Sequence, residues 1–107
     1  MRLSPRDPEI GLMLNGIAFA HLIAGRATQA LSAAQKGIDD WPRFGSVHRS
    51  KIAALVDLGR LQDAKMAEAT FLTLDPTFTI KTRLPKFRDA AFQQRYYDAL
   101  KAVGLPE

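Results

Sequence analysis

Gly25-Arg26, Ala30 and Pro42 recur as Gly59-Arg60, Ala64 and Pro76, each pair 34 residues apart. Landmarks that keep one offset define a repeating unit, and a unit of this length is a helical hairpin that cannot bury its apolar face alone. Neighbouring units must therefore stack, and the chain is expected to be all-helical. Glycine just past a last helical turn can take the left-handed conformation that caps the helix carbonyls and reverses the chain. Proline seventeen residues later stops the returning helix.

Between these stops the apolar residues fall at helical steps. The first unit places Leu12, Met13, Leu14, Ile17, Ala18, Phe19, Leu22 and Ile23 on a helix over 11–24. Ala27, Ala30, Leu31, Ala34 and Ile38 lie on a second helix that runs to about Asp40. The next unit repeats the plan with Val47, Ala54, Leu55 and Leu58, then Leu61, Ala64, Ala67, Phe71 and Leu74. Small residues at Ala18, Ala30, Gly37 and Ala64 let antiparallel helices approach closely. Gly37 costs about 1 kcal/mol of helix propensity relative to alanine, which close packing can offset.

Pro85 interrupts any helix attempted over 79–84, so the period is lost after Pro76. Asp89 is a plausible N-cap, Phe92, Tyr96, Ala99, Leu100 and Val103 form an apolar stripe, and Gly104 marks the end. The expected layout is one domain over 1–107. Residues 1–10 form a linker or the end of a preceding repeat, 11–44 and 45–78 are the repeats, and 79–107 are a broken segment with a C-terminal capping helix.

Composition narrows the function classes. The 107 residues are 47% hydrophobic and 24% charged, ordinary for a globular chain and unlike disorder. With no cysteine, thiolate metal sites and cysteine nucleophiles are excluded, and a reducing, cytoplasmic setting is expected. The start, Met1 to Pro8, lacks the apolar core of a signal peptide. Ile10 to Gly25 is uncharged but shorter than the roughly 18–20 residues a membrane span needs, so it reads as a buried helix with no membrane insertion. The net charge of +4 comes from basic residues scattered over most of the chain and decides little about partners.

Glycine before the turn, alanine five residues later and proline seventeen after that glycine resemble the tetratricopeptide repeat, over Gly11 to Phe78. The resemblance implies a right-handed superhelix of antiparallel hairpins and a protein-interaction role. Where that family has a large then a small residue in its first helix, the first unit offers Ile17 and Ala18; the second departs with Lys51 and Ile52. The phrases Arg2 to Pro8, Leu74-Asp75-Pro76-Thr77-Phe78-Thr79-Ile80, Phe87-Arg88-Asp89 and the tail Gly104 to Glu107 are similar to the C-terminal repeat region of alphaproteobacterial class III adenylate or guanylate cyclases. This implies a regulatory or interaction segment of a larger signalling protein whose catalytic or DNA-binding head lies elsewhere. Leu3-Ser4-Pro5 then looks like the end of an earlier repeat.

Repeats of this family bind peptides or helices on the concave surface lined by each first helix, which by register holds Asn15, Phe19, Leu22, Arg49, Ala53 and Val56. Filling of the stack is the commoner role for Phe19 and Leu22. The family's clamp for two carboxylates needs lysine and asparagine in that groove, and Phe19 and Ala53 do not supply it. Only Asn15 and His21 are polar between Gly11 and Ala24, so the first helix expects cover on both sides. An open face there, with Leu12, Met13 and Ile17, is expected to pair with a second copy.

Lys81, Arg83, Lys86 and Arg88 form a basic patch near Phe87 that suits an acidic partner or phosphate, although a solvated loop is the commoner reading and nucleic acid is a minor alternative. His21 and His48 lack a second ligand three or four residues away, so no metal or other cofactor is expected. Asp39-Asp40 diverge at a helix end, and Ser32, Ser46 and Ser50 sit in no nucleophile motif. No catalytic residues are assigned, and the chain is not expected to be an enzyme. The leading expectation is a scaffold, with homo-oligomerisation or an accessory nucleic-acid surface as alternatives.

Overall fold

The computed structural model describes residues 8–80 and 89–106, with side chains from Met13 onward. Its helices are α1 (Pro8–Ile23), α2 (Ala27–Asp40), α3 (Gly45–Asp57), α4 (Leu61–Leu74) and α5 (Ala90–Ala102). No strand occurs among the described residues. The apolar pattern places α1 from Gly11, but the helix already begins at Pro8, within the stretch expected to be a linker or the end of a preceding repeat.

The sequence repeat is also a repeat of backbone hydrogen bonds. Gly25 and Gly59 adopt φ of 80° and 75°. The Gly25 N–H bonds the Leu22 carbonyl at 3.1 Å and the Gly59 N–H bonds Val56 at 3.0 Å. The next N–H reaches further back, Arg26 to His21 at 2.8 Å and Arg60 to Leu55 at 2.9 Å. This pair of bonds satisfies carbonyls that a helix end leaves open. The second helices also end alike, with Trp41 bonding Gly37 at 2.7 Å and Asp75 bonding Phe71 at 3.0 Å. Trp41 and Asp75 share no side-chain chemistry, so the period is kept by backbone geometry where residue identity has changed.

Each helix packs on its successor from α1 to α4, and α1 also meets α3. Ala18, Ala30, Ala34 and Ala64 are fully buried at these crossings. The departure at Lys51-Ile52 keeps the register: Ile52 is fully buried, as is Ala18 at the matching position, while Lys51 stays half-buried.

Gly37 has the packing role its propensity cost required. A β-carbon there would lie 2.9 Å from Cγ1 of Val47, a side chain fully buried on α3. Gly37→Ala gains about 1 kcal/mol of helix propensity but overpacks the crossing by about 1–3 kcal/mol, so a net loss of about 1 kcal/mol is expected in urea denaturation. Adding Val47→Ala should recover stability beyond additivity, because the two residues share one contact.

Helix α5 starts where its cap was expected: an Asp89 side-chain oxygen accepts the Phe92 N–H at 3.1 Å. Phe92, Tyr96, Ala99, Leu100 and Val103 are all buried, and Gly104 leaves the helix with φ of 97°. The stripe packs against α3 and reaches Phe19 on α1. The Ile80 N–H, bonded to the Pro106 carbonyl at 2.8 Å, ties the tail back to the segment after α4.

Candidate functional site

The six residues assigned to the concave surface are all buried or partly buried within the chain. Leu22 is fully buried, Ala53 is nearly so, and Phe19 and Val56 are partly buried against the core. The Phe19 ring meets Tyr96 of α5 edge-on, with centroids 5.6 Å apart. Asn15 is engaged between helices: its Nδ2 donates to the Ser46 hydroxyl at 2.9 Å. The fully buried Ser50 hydroxyl lies 3.1 Å from both Asn15 Oδ1 and the Ser46 carbonyl, and donates to one or the other. A partly buried amide so satisfied pins the register of α1 on α3. Ser46 and Ser50 are therefore structural partners of Asn15, a pairing that no local motif announces.

Arg49, the remaining groove residue, is an anchor for aromatic rings. Its guanidinium lies 5.2 Å from the Phe78 centroid and 5.7 Å from that of Phe71, within cation–π range. It also sits beside the Tyr96 hydroxyl. Burial pushes the Tyr96 phenol up to about 12, with the nearby Arg49 charge working the other way.

Arg95 holds α5 across the ends of two other helices. Its guanidinium donates to the Leu22 carbonyl near the end of α1, where helix carbonyls favour a cation. It also lies 5.3 Å from the Phe92 ring centroid. Asp57, at the end of α3, has its carboxyl raised by burial, and Arg95 opposes that shift.

Two open surfaces stand out among the described residues. On α1, Met13 and Ile17 are 55% and 39% exposed, and Ile23 continues the same face at 43%. Gly16, Ala20 and Ala24 lie between them and are exposed, and nothing stands within 4 Å of a β-carbon built on Gly16. The side chain of Leu12 lies outside the described residues, as do Lys81, Arg83, Lys86 and Arg88.

The second open surface is a groove of about 780 Å³ between α2 and α4, with α3 beneath it. Leu31, Leu55 and Ala67 give it an apolar lining, and Lys36, Lys51 and Met66 also line it. Sequence reasoning missed this groove. The signal available was one face of α2, Thr28, Leu31, Gln35 and Ile38, at helical steps.

Among the described residues no group of three histidine or acidic side chains stands ready to hold a metal ion. No helix among them is long and apolar enough to cross a membrane. Comparisons with known protein families, with characterised proteins and with solved structures find no match to this chain.

Proposed function

We propose that this chain is a protein-interaction scaffold of the tetratricopeptide type, a regulatory segment of a larger cytoplasmic signalling protein such as a class III cyclase, with the chemistry carried elsewhere. The 34-residue period shared by sequence landmarks and backbone bonds supports the repeat assignment. One observation carries the interaction role: on the outer face of α1 the apolar residues Met13, Ile17 and Ile23 are exposed, with exposed Gly16, Ala20 and Ala24 beside them.

The occupant that fits this face is a second copy of the chain. The stretch from Ile10 to Gly25 holds no formal charge, so two copies meeting through it juxtapose no like charges despite the net charge of +4. Gly16 and Ala20 allow two such helices to approach closely along the line between Met13, Ile17 and Ile23. Phe19 and Leu22 of α1 face the core, so assembly through the opposite, exposed face leaves the fold undisturbed.

Light scattering across concentration tests this. The mass should rise toward twice the monomer at micromolar chain, and Ile17→Glu should hold it at the monomer, since a carboxylate at the centre of the contact must be desolvated. A mass that stays monomeric throughout, or a dimer indifferent to Ile17→Glu, contradicts the reading.

A further inference from the structure

We infer that the groove between α2 and α4 is a docking site for an acidic amphipathic helix of a partner protein. The inference rests on the chain being an interaction scaffold and names a second contact surface, remote from the outer face of α1.

The groove follows from the topology. Helix α3 packs on both α2 and α4, whereas α2 and α4 form no packed pair with each other. Two helical walls over a helical floor leave a trough, and its volume is about 780 Å³. Lining residues run from Thr28 to Asp39 on α2, three turns of helix, or about 16 Å at the helical rise. Asp63, Met66, Ala67 and Thr70 line it from α4 at the same three- and four-residue steps. A trough of this length matches a helix of about three turns laid in by its apolar face.

Its chemistry selects the occupant. Leu55 and Ala67 are 2% and 7% exposed and form an apolar base, while Met66 stands 70% exposed at the rim. An exposed methionine bordering an apolar trough adapts to the side chains of a docked helix. Of the two lining carboxylates, Asp63 is charge-paired with Arg60 at 2.8 Å, whereas Asp39 accepts from the neutral Gln35 amide at 2.9 Å and keeps its charge. Lys36 and Lys51 have no carboxylate partner among the described residues. His48 presents no charge-seeking edge through Nε2, which donates to the Pro42 carbonyl at 2.6 Å. Lys36 and Lys51 outweigh the one unpaired carboxylate, Asp39, so the groove keeps a net positive charge over an apolar base, and its complement is a helix with an apolar stripe flanked by glutamate or aspartate.

The test titrates two labelled helical peptides of about 15 residues, long enough to hold helical structure. Both carry leucine at three- and four-residue steps; one is flanked by glutamate, the other by lysine. Titration into the Ile17→Glu chain keeps self-association out of the readout, so failure here is distinguishable from failure of the α1 contact. The glutamate peptide should bind at least about tenfold more tightly than the lysine peptide, the ratio expected when two rim charges reverse sign. Lys36→Glu with Lys51→Glu should invert that preference, and Met66→Glu should weaken the glutamate peptide, with thermal unfolding of both variants near that of the parent. The inference is overturned if the peptides bind equally, if neither binds, or if binding ignores these substitutions.

Discussion

Phe71→Ala is expected to cost about 3–5 kcal/mol, the range for deleting a fully buried aromatic side chain. Phe71 is wholly buried where α4, the start of α3 and the segment after α4 meet. Its ring meets Phe78 edge-on at 5.0 Å and 79°, a geometry that adds to the burial energy. The Arg49 guanidinium rests 5.7 Å from its centroid, and its Cε1 lies 3.2 Å from a β-carbon built on Gly45, so little room exists for collapse into the space left. Small domains are stable by only about 5–15 kcal/mol, so this one substitution should remove a large share of the total. Urea denaturation reads the loss directly; Phe71→Leu, which keeps much of the volume, should cost less than half as much.

Alkaline pH should destabilise the protein through Tyr96. Its phenol titrates near 10.0 when unfolded and is pushed up to about 12 when folded, by burial. Below pH 10 both states keep the proton and the group adds no pH dependence. Between pH 10 and 12 the unfolded chain ionises while the folded one does not, so stability falls as pH rises and the loss is complete above the folded value. Two units correspond to about 2–3 kcal/mol. Stability measured by urea denaturation from pH 9 to 12 should show this decline, and Tyr96→Phe should flatten it. An equal decline in the phenylalanine variant would place the titrating group elsewhere.

What was legible in the sequence was local. Gly25 and Gly59 sit at positive φ because the turn demands it, and glycine announces that demand by identity alone. The bounds of α2, 27–40, and the Asp89 cap of α5 follow from the same kind of short-range signal. The apolar stripe from Phe92 to Val103 told which face of α5 is buried, but a stripe does not name its partner. Arg95 bonds a carbonyl 73 residues earlier in the chain, a pairing that no periodicity encodes.

The same limit explains the concave surface. Phe19 and Leu22 stand on a helix apolar all round, so nothing local tells the covered side from the open one. One side is covered by α2 and α3, with Tyr96 of α5 against Phe19; on the other side Met13 and Ile17 are exposed. Asn15 looked like a contact for a ligand because its partners, Ser46 and Ser50, lie on the neighbouring repeat and carry no motif. The α2–α4 groove was hidden for another reason. It arises from how far apart α3 holds its two neighbours, which is a property of packing and not of any one helix.

The account turns on the outer face of α1 being a contact between copies. Because the chain contains no cysteine, a single introduced thiol reports on one place only. Ile17→Cys and Met66→Cys, two exposed positions on separate surfaces, can be oxidised in parallel at micromolar chain and followed by non-reducing electrophoresis. The account predicts a rapid, nearly complete disulfide-linked dimer for Ile17→Cys and little for Met66→Cys. Equal cross-linking at the two positions, or none at Ile17→Cys, would contradict it.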